Sequence, residues 1–223
     1  MYKKKLNSLT ILIPAFNEKK NFSKFILKLK KDFNILVIDD CSSDGTSEFL
    51  KKKKIKYIKN KKNLGYELSL IKGLEFLKKR KKTKYILTMD ADGQHKSTYI
   101  KKIFNNFIKN KADLTVGERD KKNRLIEKVI SRTFKKKFNI WDPLSGFKLY
   151  KKEILRQINL SKIKNFFLVD LLILLINKKC KVKNYKIKTH FRKDSPRVGS
   201  FFFTNLKMLN ILKFVYFKTI NEK

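Results

Sequence analysis

Short apolar segments alternate with longer segments of helical periodicity in the first half of the chain. The apolar segments predict strands at Leu9–Ile13, Ile35–Ile38, Ile55–Ile58, Tyr85–Met89 and Leu114–Val116. The periodic segments predict helices at 21–31 and 97–110. A third helix is predicted to begin after Gly65, where Leu70, Leu74 and Leu77 recur at helical spacing. This alternation is typical of βα units around a mainly parallel sheet with helices on both faces.

The pattern is less regular after Gly117. It predicts helices at 124–138, 152–158 and 166–179, and strands at Phe147–Tyr150 and Val182–Lys188. Neither an internal repeat nor a linker divides the chain. We therefore expect one Rossmann-like α/β domain over residues 1–198 and an apolar helical tail over residues 199–223.

The tail contains the apolar segment 201–220, whose polar residues do not segregate to one helical face. Three environments remain open for it: the surface of the domain, the headgroup layer of a membrane, or a contact with a second copy or a membrane protein. No segment reaches the roughly 20 apolar residues of a membrane-crossing helix. We expect a cytoplasmic protein, peripheral at the inner face of the membrane.

The net charge of +38 is the most unusual feature of the composition. Nucleic-acid binding is one interpretation, but only 7 of the 57 basic residues are Arg, the usual choice for bidentate phosphate and base contacts. Lysines occur in nearly every segment, which favours compositional drift. Attraction to an anionic membrane surface also remains open, and we expect no nucleic-acid partner.

Acidic residues are scarce, yet four of them follow two predicted strands: Asp39, Asp40, Asp90 and Asp92. Ligands of open α/β sheets bind at the carboxyl ends of the strands. An Asp-x-Asp turn there can direct two carboxylates toward Mg²⁺ or Mn²⁺, which prefer oxygen ligands. The alternative is an Asp-rich turn that caps the next helix.

Four segments, in this order, resemble the motifs of family 2 glycosyltransferases: Ile13–Glu18, Val37–Thr46, Asn63–Gly65 and Met89–His95. Within that family the chain is most similar to the polyprenyl-phosphate sugar transferases, and the resemblance covers roughly residues 8–198. It implies a GT-A fold, a nucleoside-diphosphate (NDP) sugar donor, a divalent cation and inversion at the anomeric carbon.

The resemblance also implies roles for individual residues. The expected nucleotide-sugar-binding residues of the first half are Pro14, Phe16, Glu18, Ile38, Asp40, Asp90 and Ala91. The expected metal ligands are Asp90, Asp92 and Gln94, with Asp92 also catalytic. A metal there would stabilise the negative charge that develops on the diphosphate leaving group.

Three further motifs resemble phosphate- and acceptor-side elements of the family. Val116–Arg119 resembles a Gly-Ser-Arg element, although Glu118 replaces its small residue, and Arg119 is expected to face phosphate. Asp142–Phe147 resembles Asp-x-x-Ser-Gly-Phe, which makes Asp142 a catalytic candidate near the acceptor. Residues 191–197 resemble a basic loop that closes over phosphates, with Arg192 and Arg197 as candidates, although its glycine is missing. Ordinary loop or turn roles remain the alternative for each.

We therefore expect transfer of a hexose from a GDP- or UDP-sugar to polyprenyl phosphate. The alternative acceptor is a saccharide hydroxyl in cell-surface polysaccharide synthesis, for which Asp142 would act as a base. A phosphate is already anionic near neutral pH, so with that acceptor Asp142 would orient the acceptor or the metal. A non-catalytic basic protein that binds nucleic acid or anionic lipid is the competing interpretation.

Overall fold

The computed structural model describes residues 5–91, 93, 97–120, 125–163, 166–188 and 209–214.

One mixed sheet forms the centre of the molecule. Its strands are β1 (Leu9–Ala15), β2 (Asn34–Asp39), β3 (Lys56–Lys59), β4 (Tyr85–Thr88), β5 (Leu114–Arg119), β6 (Lys148–Lys151) and β7 (Val182–Ile187). They lie in the order β3-β2-β1-β4-β6-β5-β7. β6 is antiparallel to both β4 and β5, and every other neighbouring pair is parallel. The carboxyl ends of the six other strands therefore share one edge of the sheet.

Helices connect the strands and pack against the sheet. They are α1 (Lys19–Asp32), α2 (Thr46–Lys52), α3 (Tyr66–Lys78), α4 (Ser97–Lys109), α5 (Leu125–Phe138), α6 (Lys152–Arg156) and α7 (Phe167–Asn177). A 3₁₀ turn spans Leu160–Lys162, and residues 209–214 are helical. Among the described residues, no helix has the length and apolar character needed to cross a membrane.

The core consists of two apolar layers, one on each face of the sheet. Ile11 and Ile13 of β1 pack in the layer with α1 and α4, whereas Leu12 belongs to the layer with α3, α5 and α7. Successive side chains of a strand point to opposite faces, and both faces of a parallel sheet are covered. This is why the buried strands are apolar at consecutive positions.

The structure confirms the predicted α/β architecture with helices on both faces. The antiparallel direction of β6 was not predicted, because an apolar segment gives the existence of a strand but not its direction. In the predicted tail, the described helix 209–214 packs on the domain: Ile211 is buried, and the ring of Phe214 lies 5.5 Å from that of Phe166.

Candidate active site

A cleft of about 560 Å³ opens at the edge where β1, β2 and β4 end. Its lining combines residues from the strand ends, the start of α3, the loop before β6 and α7: Pro14, Ala15, Phe16, Glu18, Asp40, Asn63, Gly65, Tyr66, Ser69, Asp90, Ala91, Leu144, Gly146 and Leu168. The expected strand-end carboxylates Asp40 and Asp90 are thus brought to one cavity. Parallel strands produce this convergence because their carboxyl ends meet at one edge.

The loops after β1 and β2 are tied together by hydrogen bonds. The backbone N–H of Asn17 donates to Ser42 Oγ at 2.9 Å, and that of Glu18 donates to Thr46 Oγ1 at 3.0 Å. Asp39 is wholly buried and accepts from the backbone N–H of Ser42 and from the hydroxyl of Ser47. Asp39 therefore braces the loop and does not line the cleft.

Asp40 organises the loop before α3. Its Oδ1 accepts from Asn60 Nδ2 at 2.7 Å and from the backbone N–H of Leu64 at 2.8 Å, and its Oδ2 accepts from the backbone N–H of Gly65 at 2.7 Å. Gly65 has φ +84°, a conformation that glycine adopts without strain. The side-chain oxygen of Asn60 in turn accepts from Lys72 Nζ at 2.6 Å. A buried carboxylate thereby fixes one wall of the cleft.

Asp90, Tyr66 and Gly146 form another part of the cleft wall. The Tyr66 hydroxyl donates to Asp90 Oδ1 at 3.0 Å. A Cβ atom at Gly146 would lie 2.6 Å from Asp90 Oδ1 and 2.7 Å from the Tyr66 hydroxyl, distances that real contacts do not show. Glycine at this position therefore makes the space for the Asp90 carboxylate and its hydroxyl donor.

The buried carboxylate of Asp142 and the partly exposed guanidinium of Arg119 form an ion pair next to this wall. Asp142 is 0% exposed, and Arg119 Nε and Nη2 donate to its two oxygens at 2.8 and 3.0 Å. The backbone N–H of Arg119 donates to the same carboxylate at 3.1 Å, and Nη2 also reaches Glu127 Oε2 at 3.4 Å. Burial alone would lower the pKa of Arg119, but the hydrogen bond and charge of Asp142, with Glu127 and Asp90, raise it.

Lys148 supports the loop 142–146 from inside the protein. It is 0% exposed, and its ammonium donates to the carbonyl oxygens of Pro143, at 2.9 Å, and Ser145. Burial lowers the pKa of Lys148 to about 7, against the attraction of Asp142 and Asp90. These bonds hold the backbone that leads into Gly146.

The family model of glycosyl transferase family 2 matches residues 10–159, which include the strands and loops that build this cleft. The chain belongs to glycosyltransferase family 2.

Two relatives illustrate what the chain is similar to. This glycosyltransferase is 36% identical over 165 residues to an uncharacterized protein of Methanocaldococcus jannaschii, a match that covers 65% of this chain and 72% of the relative. It is 29% identical over 187 residues to the dolichol-phosphate mannosyltransferase of Pyrococcus furiosus, covering 74% of this chain. The match spans 52% of that relative's length.

Solved structures share the fold at low sequence identity. The glucosyl-3-phosphoglycerate synthase of Mycobacterium tuberculosis, crystallised with Mn²⁺ and UDP-glucose, superposes with a TM-score of 0.73 at 13% identity. The superposition covers 94% of this chain and 78% of that one. The mixed α/β sheet of this glycosyltransferase is thus the sheet of the GT-A enzymes.

The expected site residues of the glycosyltransferase fall into three groups. Six of them line the cleft: Pro14, Phe16, Glu18, Asp40, Asp90 and Ala91. Three lie elsewhere in the described structure: Arg119 and Asp142 pair with each other, and Ile38 lies in the core. Four fall outside the described residues: Asp92, Gln94, Arg192 and Arg197.

Ile38, expected from the sequence to bind the nucleotide sugar, is not among the residues that line the cleft, and its contact with the donor stays a prediction. It is 0% exposed, and its Cγ1 would lie 3.0 Å from a Cβ atom at Gly73 of α3. Ile38 and Asp40 are two positions apart and face the same side of the sheet, but Ile38 lies within β2 beneath Gly73 of α3, whereas Asp40 follows the end of β2 and lines the cleft.

Sequence reasoning missed Tyr66, Asn60 and Lys148. A signal existed for Tyr66, because it is the first helical residue after the Asn63–Gly65 motif. A lysine inside an apolar strand was the signal for Lys148. Asn60 gave none, since an asparagine at the end of a strand is ordinary turn chemistry.

Proposed function

We propose that this glycosyltransferase transfers a hexosyl group from an NDP-sugar to polyprenyl phosphate, with inversion at the anomeric carbon. The observation that carries the proposal is the convergence of Asp40 and Asp90 on one cleft whose walls are fixed by internal hydrogen bonds. The name of the P. furiosus relative supports a polyprenyl-type acceptor. The UDP-glucose complex of the M. tuberculosis enzyme supports the donor class.

Different residues of the cleft lining suit different parts of the donor. Asp40, Glu18 and the backbone of Asn63–Gly65 suit the hydroxyl groups of a nucleoside. Asp90, beside Gly146, is where the diphosphate would bind together with a cation. Phe16 is 42% exposed and gives the cleft an apolar surface for the base.

The residues present fit a divalent cation, Mg²⁺ or Mn²⁺. Asp90, together with Asp92 and Gln94 of the same segment, supplies the oxygen donors that these ions prefer, and the absence of a side chain at Gly146 lets the Asp90 carboxylate take its place in the cleft wall. Within the described residues, no cluster of three His, Cys, Asp or Glu side chains could hold a metal. A bound cation would stabilise the charge of the leaving diphosphate. Tyr66 holds Asp90 in position for this role.

The ion pair of Asp142 supports phosphate over a saccharide hydroxyl as the acceptor. A hydroxyl acceptor needs a base, but both oxygens of Asp142 accept hydrogen bonds from Arg119, and the carboxylate is buried. A phosphate is already anionic near neutral pH and needs no base. In the proposed reaction Asp142 positions Arg119 and the loop that leads to Gly146.

A transfer assay tests the proposal. Radiolabelled GDP-mannose and UDP-glucose are incubated with the protein and Mn²⁺ or Mg²⁺, with polyprenyl phosphate or an oligosaccharide as acceptor. We expect the label to appear in the lipid. Asp90→Asn should lower this activity at least about 100-fold, whereas the control Asp113→Asn, at the amino end of β5, should have normal activity. Label in the oligosaccharide alone, or no loss in Asp90→Asn, would overturn the proposal.

A further inference from the structure

Exposed large apolar side chains occur at the cleft and on helix α5. Among the described residues they are Phe16, Tyr66, Leu68, Leu125, Val129 and Leu209. Phe16 and Tyr66 line the cleft, and Leu68 lies in the first turn of α3. Leu125 and Val129 lie in the first two turns of α5, the helix that follows β5. Single exposed apolar residues need no explanation, but neighbouring ones on the same face indicate a contact surface.

Helix α5 shows the clearest case. Leu125 is 80% exposed, and Val129, one turn later, is 42% exposed. Lys128 and Arg132 are exposed on the same side of the helix, at spacings of three and four residues. The inner side of the helix packs into the core and carries Glu127, which is the helix's one acidic residue and is buried. The α5 face, defined by Leu125, Lys128, Val129 and Arg132, thus combines apolar and cationic groups.

The α5 face is directly connected to the candidate active site. Glu127, on the inner side of the helix, contacts Arg119 Nη2 at 3.4 Å, and Arg119 holds Asp142. Asp142 begins the loop that leads to Gly146 and the cleft wall. A surface that binds the α5 face is therefore held close to the loop 142–146, which contributes Leu144 and Gly146 to the cleft.

We propose that the α5 face binds an anionic lipid bilayer and so presents the cleft to acceptors held in that bilayer. The presentation of the cleft to acceptors in the bilayer rests on the proposed function. Leu125 and Val129 enter the boundary between headgroups and acyl chains, and Lys128 and Arg132 contact anionic headgroups. Charge complementarity identifies the lipid, because the exposed charges of α5 are all positive.

The apolar pair distinguishes a bilayer from a nucleic acid. Nucleic acids attract basic proteins mainly through phosphate charge, to which exposed Leu and Val contribute nothing. A bilayer rewards both kinds of side chain. Variants that remove only the apolar groups therefore separate the two partners.

The opposite end of the molecule provides a matched control. Lys81 and Lys82 are exposed in the turn between α3 and β4, at the amino end of the sheet. Removing these two charges lowers the net charge as much as removing Lys128 and Arg132. Any difference between the two double variants reports the orientation of the protein on the lipid.

Vesicle sedimentation with the full chain tests the proposal. The vesicles contain either phosphatidylcholine alone or phosphatidylcholine with roughly 30% phosphatidylglycerol. The second mixture gives the vesicle surface a negative charge that attracts basic segments. We expect binding to the anionic vesicles, weakened about tenfold in Leu125→Ser/Val129→Ser. Lys128→Gln/Arg132→Gln should weaken it about fivefold per charge, and Lys81→Gln/Lys82→Gln much less.

Equal weakening by the two charge variants, or unchanged binding in Leu125→Ser/Val129→Ser, would overturn the proposal in favour of attraction by the whole basic surface. Urea denaturation confirms that each variant is folded. Transfer to polyprenyl phosphate is also measured in detergent micelles, which separates the two proposals. If the proposed function is wrong, no transfer is seen in either micelles or vesicles. Failure of the docking proposal alone leaves Leu125→Ser/Val129→Ser as active as the wild type in vesicles.

Discussion

The hydroxyl of Tyr66 donates a hydrogen bond to Oδ1 of Asp90 at 3.0 Å across the wall of the cleft. The two residues come from different strand–helix units, since Tyr66 begins α3 and Asp90 follows β4. A donor on one oxygen fixes the orientation of the carboxylate and leaves the second oxygen for a ligand. A hydrogen-bond donor that orients a metal-binding carboxylate in this way raises the affinity of that carboxylate for the metal.

Replacing Tyr66 by Phe should weaken the affinity for Mn²⁺ about tenfold, because Asp90 loses the donor that orients it. Mn²⁺ binding in the presence of the nucleoside diphosphate, followed by electron paramagnetic resonance, measures this directly. Tyr57→Phe, which changes a hydroxyl on the edge strand β3, is the matched control. Equal Mn²⁺ affinities of Tyr66→Phe and the wild type would contradict the positioning role.

Replacing Gly146 by Ala should lower kcat/KM about 100-fold, because the new Cβ displaces the Asp90 carboxylate and the Tyr66 hydroxyl. The comparison uses steady-state transfer kinetics. In a Tyr66→Phe background the same Gly146→Ala change should cost less, since one of the two crowded groups is gone. Additive losses in the double variant would show that the two positions act independently.

Breaking the pair of Asp142 and Arg119 should destabilise the fold. We expect Arg119→Ala to lower the free energy of unfolding by about 3 kcal/mol, since it leaves the wholly buried carboxylate of Asp142 without its ion partner. Asp142→Ala should cost less, because the side chain of Arg119 is 28% exposed and keeps its contact with Glu127. Urea denaturation of both single variants and the double variant gives the coupling energy. A double variant that loses the sum of the two single losses would rule out a direct energetic pairing.

The stability contributed by Lys148 should depend on pH. Its pKa is about 7 in the folded state and ordinarily 10.5, so between these values the unfolded chain binds one more proton than the folded one. The free energy of unfolding of the wild type, relative to Lys148→Met, should therefore rise by about 1 kcal/mol per pH unit above pH 7. Below about pH 7 the difference should become constant. Urea denaturation from pH 6 to 9 measures it, and a difference independent of pH throughout would contradict the burial of the charge.

Much of the fold could be predicted because periodicity and strand-end chemistry act locally. The apolar segments that became β1, β2 and β4 were recognisable by composition, and the aspartates that follow β2 and β4 marked the edge of the cleft. Strand direction is not local. The antiparallel direction of β6 depends on its pairing with β4 and β5, which no periodicity records.

The candidate site was predictable for residues next to motifs and not for residues that act through tertiary contacts. Asp40 and Asp90 follow strands, so the sequence placed them. Arg119 and Asp142 are 23 positions apart, and their pairing arises only when β5 and the loop before β6 meet. The role of Asp39 in bracing its own loop could not be separated from that of Asp40, because adjacent carboxylates look alike in a sequence.

Binding of nucleoside diphosphates with and without Mn²⁺ tests the central claim most directly. Isothermal titration calorimetry of the full chain with GDP and UDP should show binding to one of them that Mn²⁺ strengthens at least about tenfold. Asp90→Asn should abolish the effect of the metal, and Asp113→Asn should preserve it. Nucleotide binding that is the same with and without Mn²⁺ and unchanged in Asp90→Asn would contradict the account.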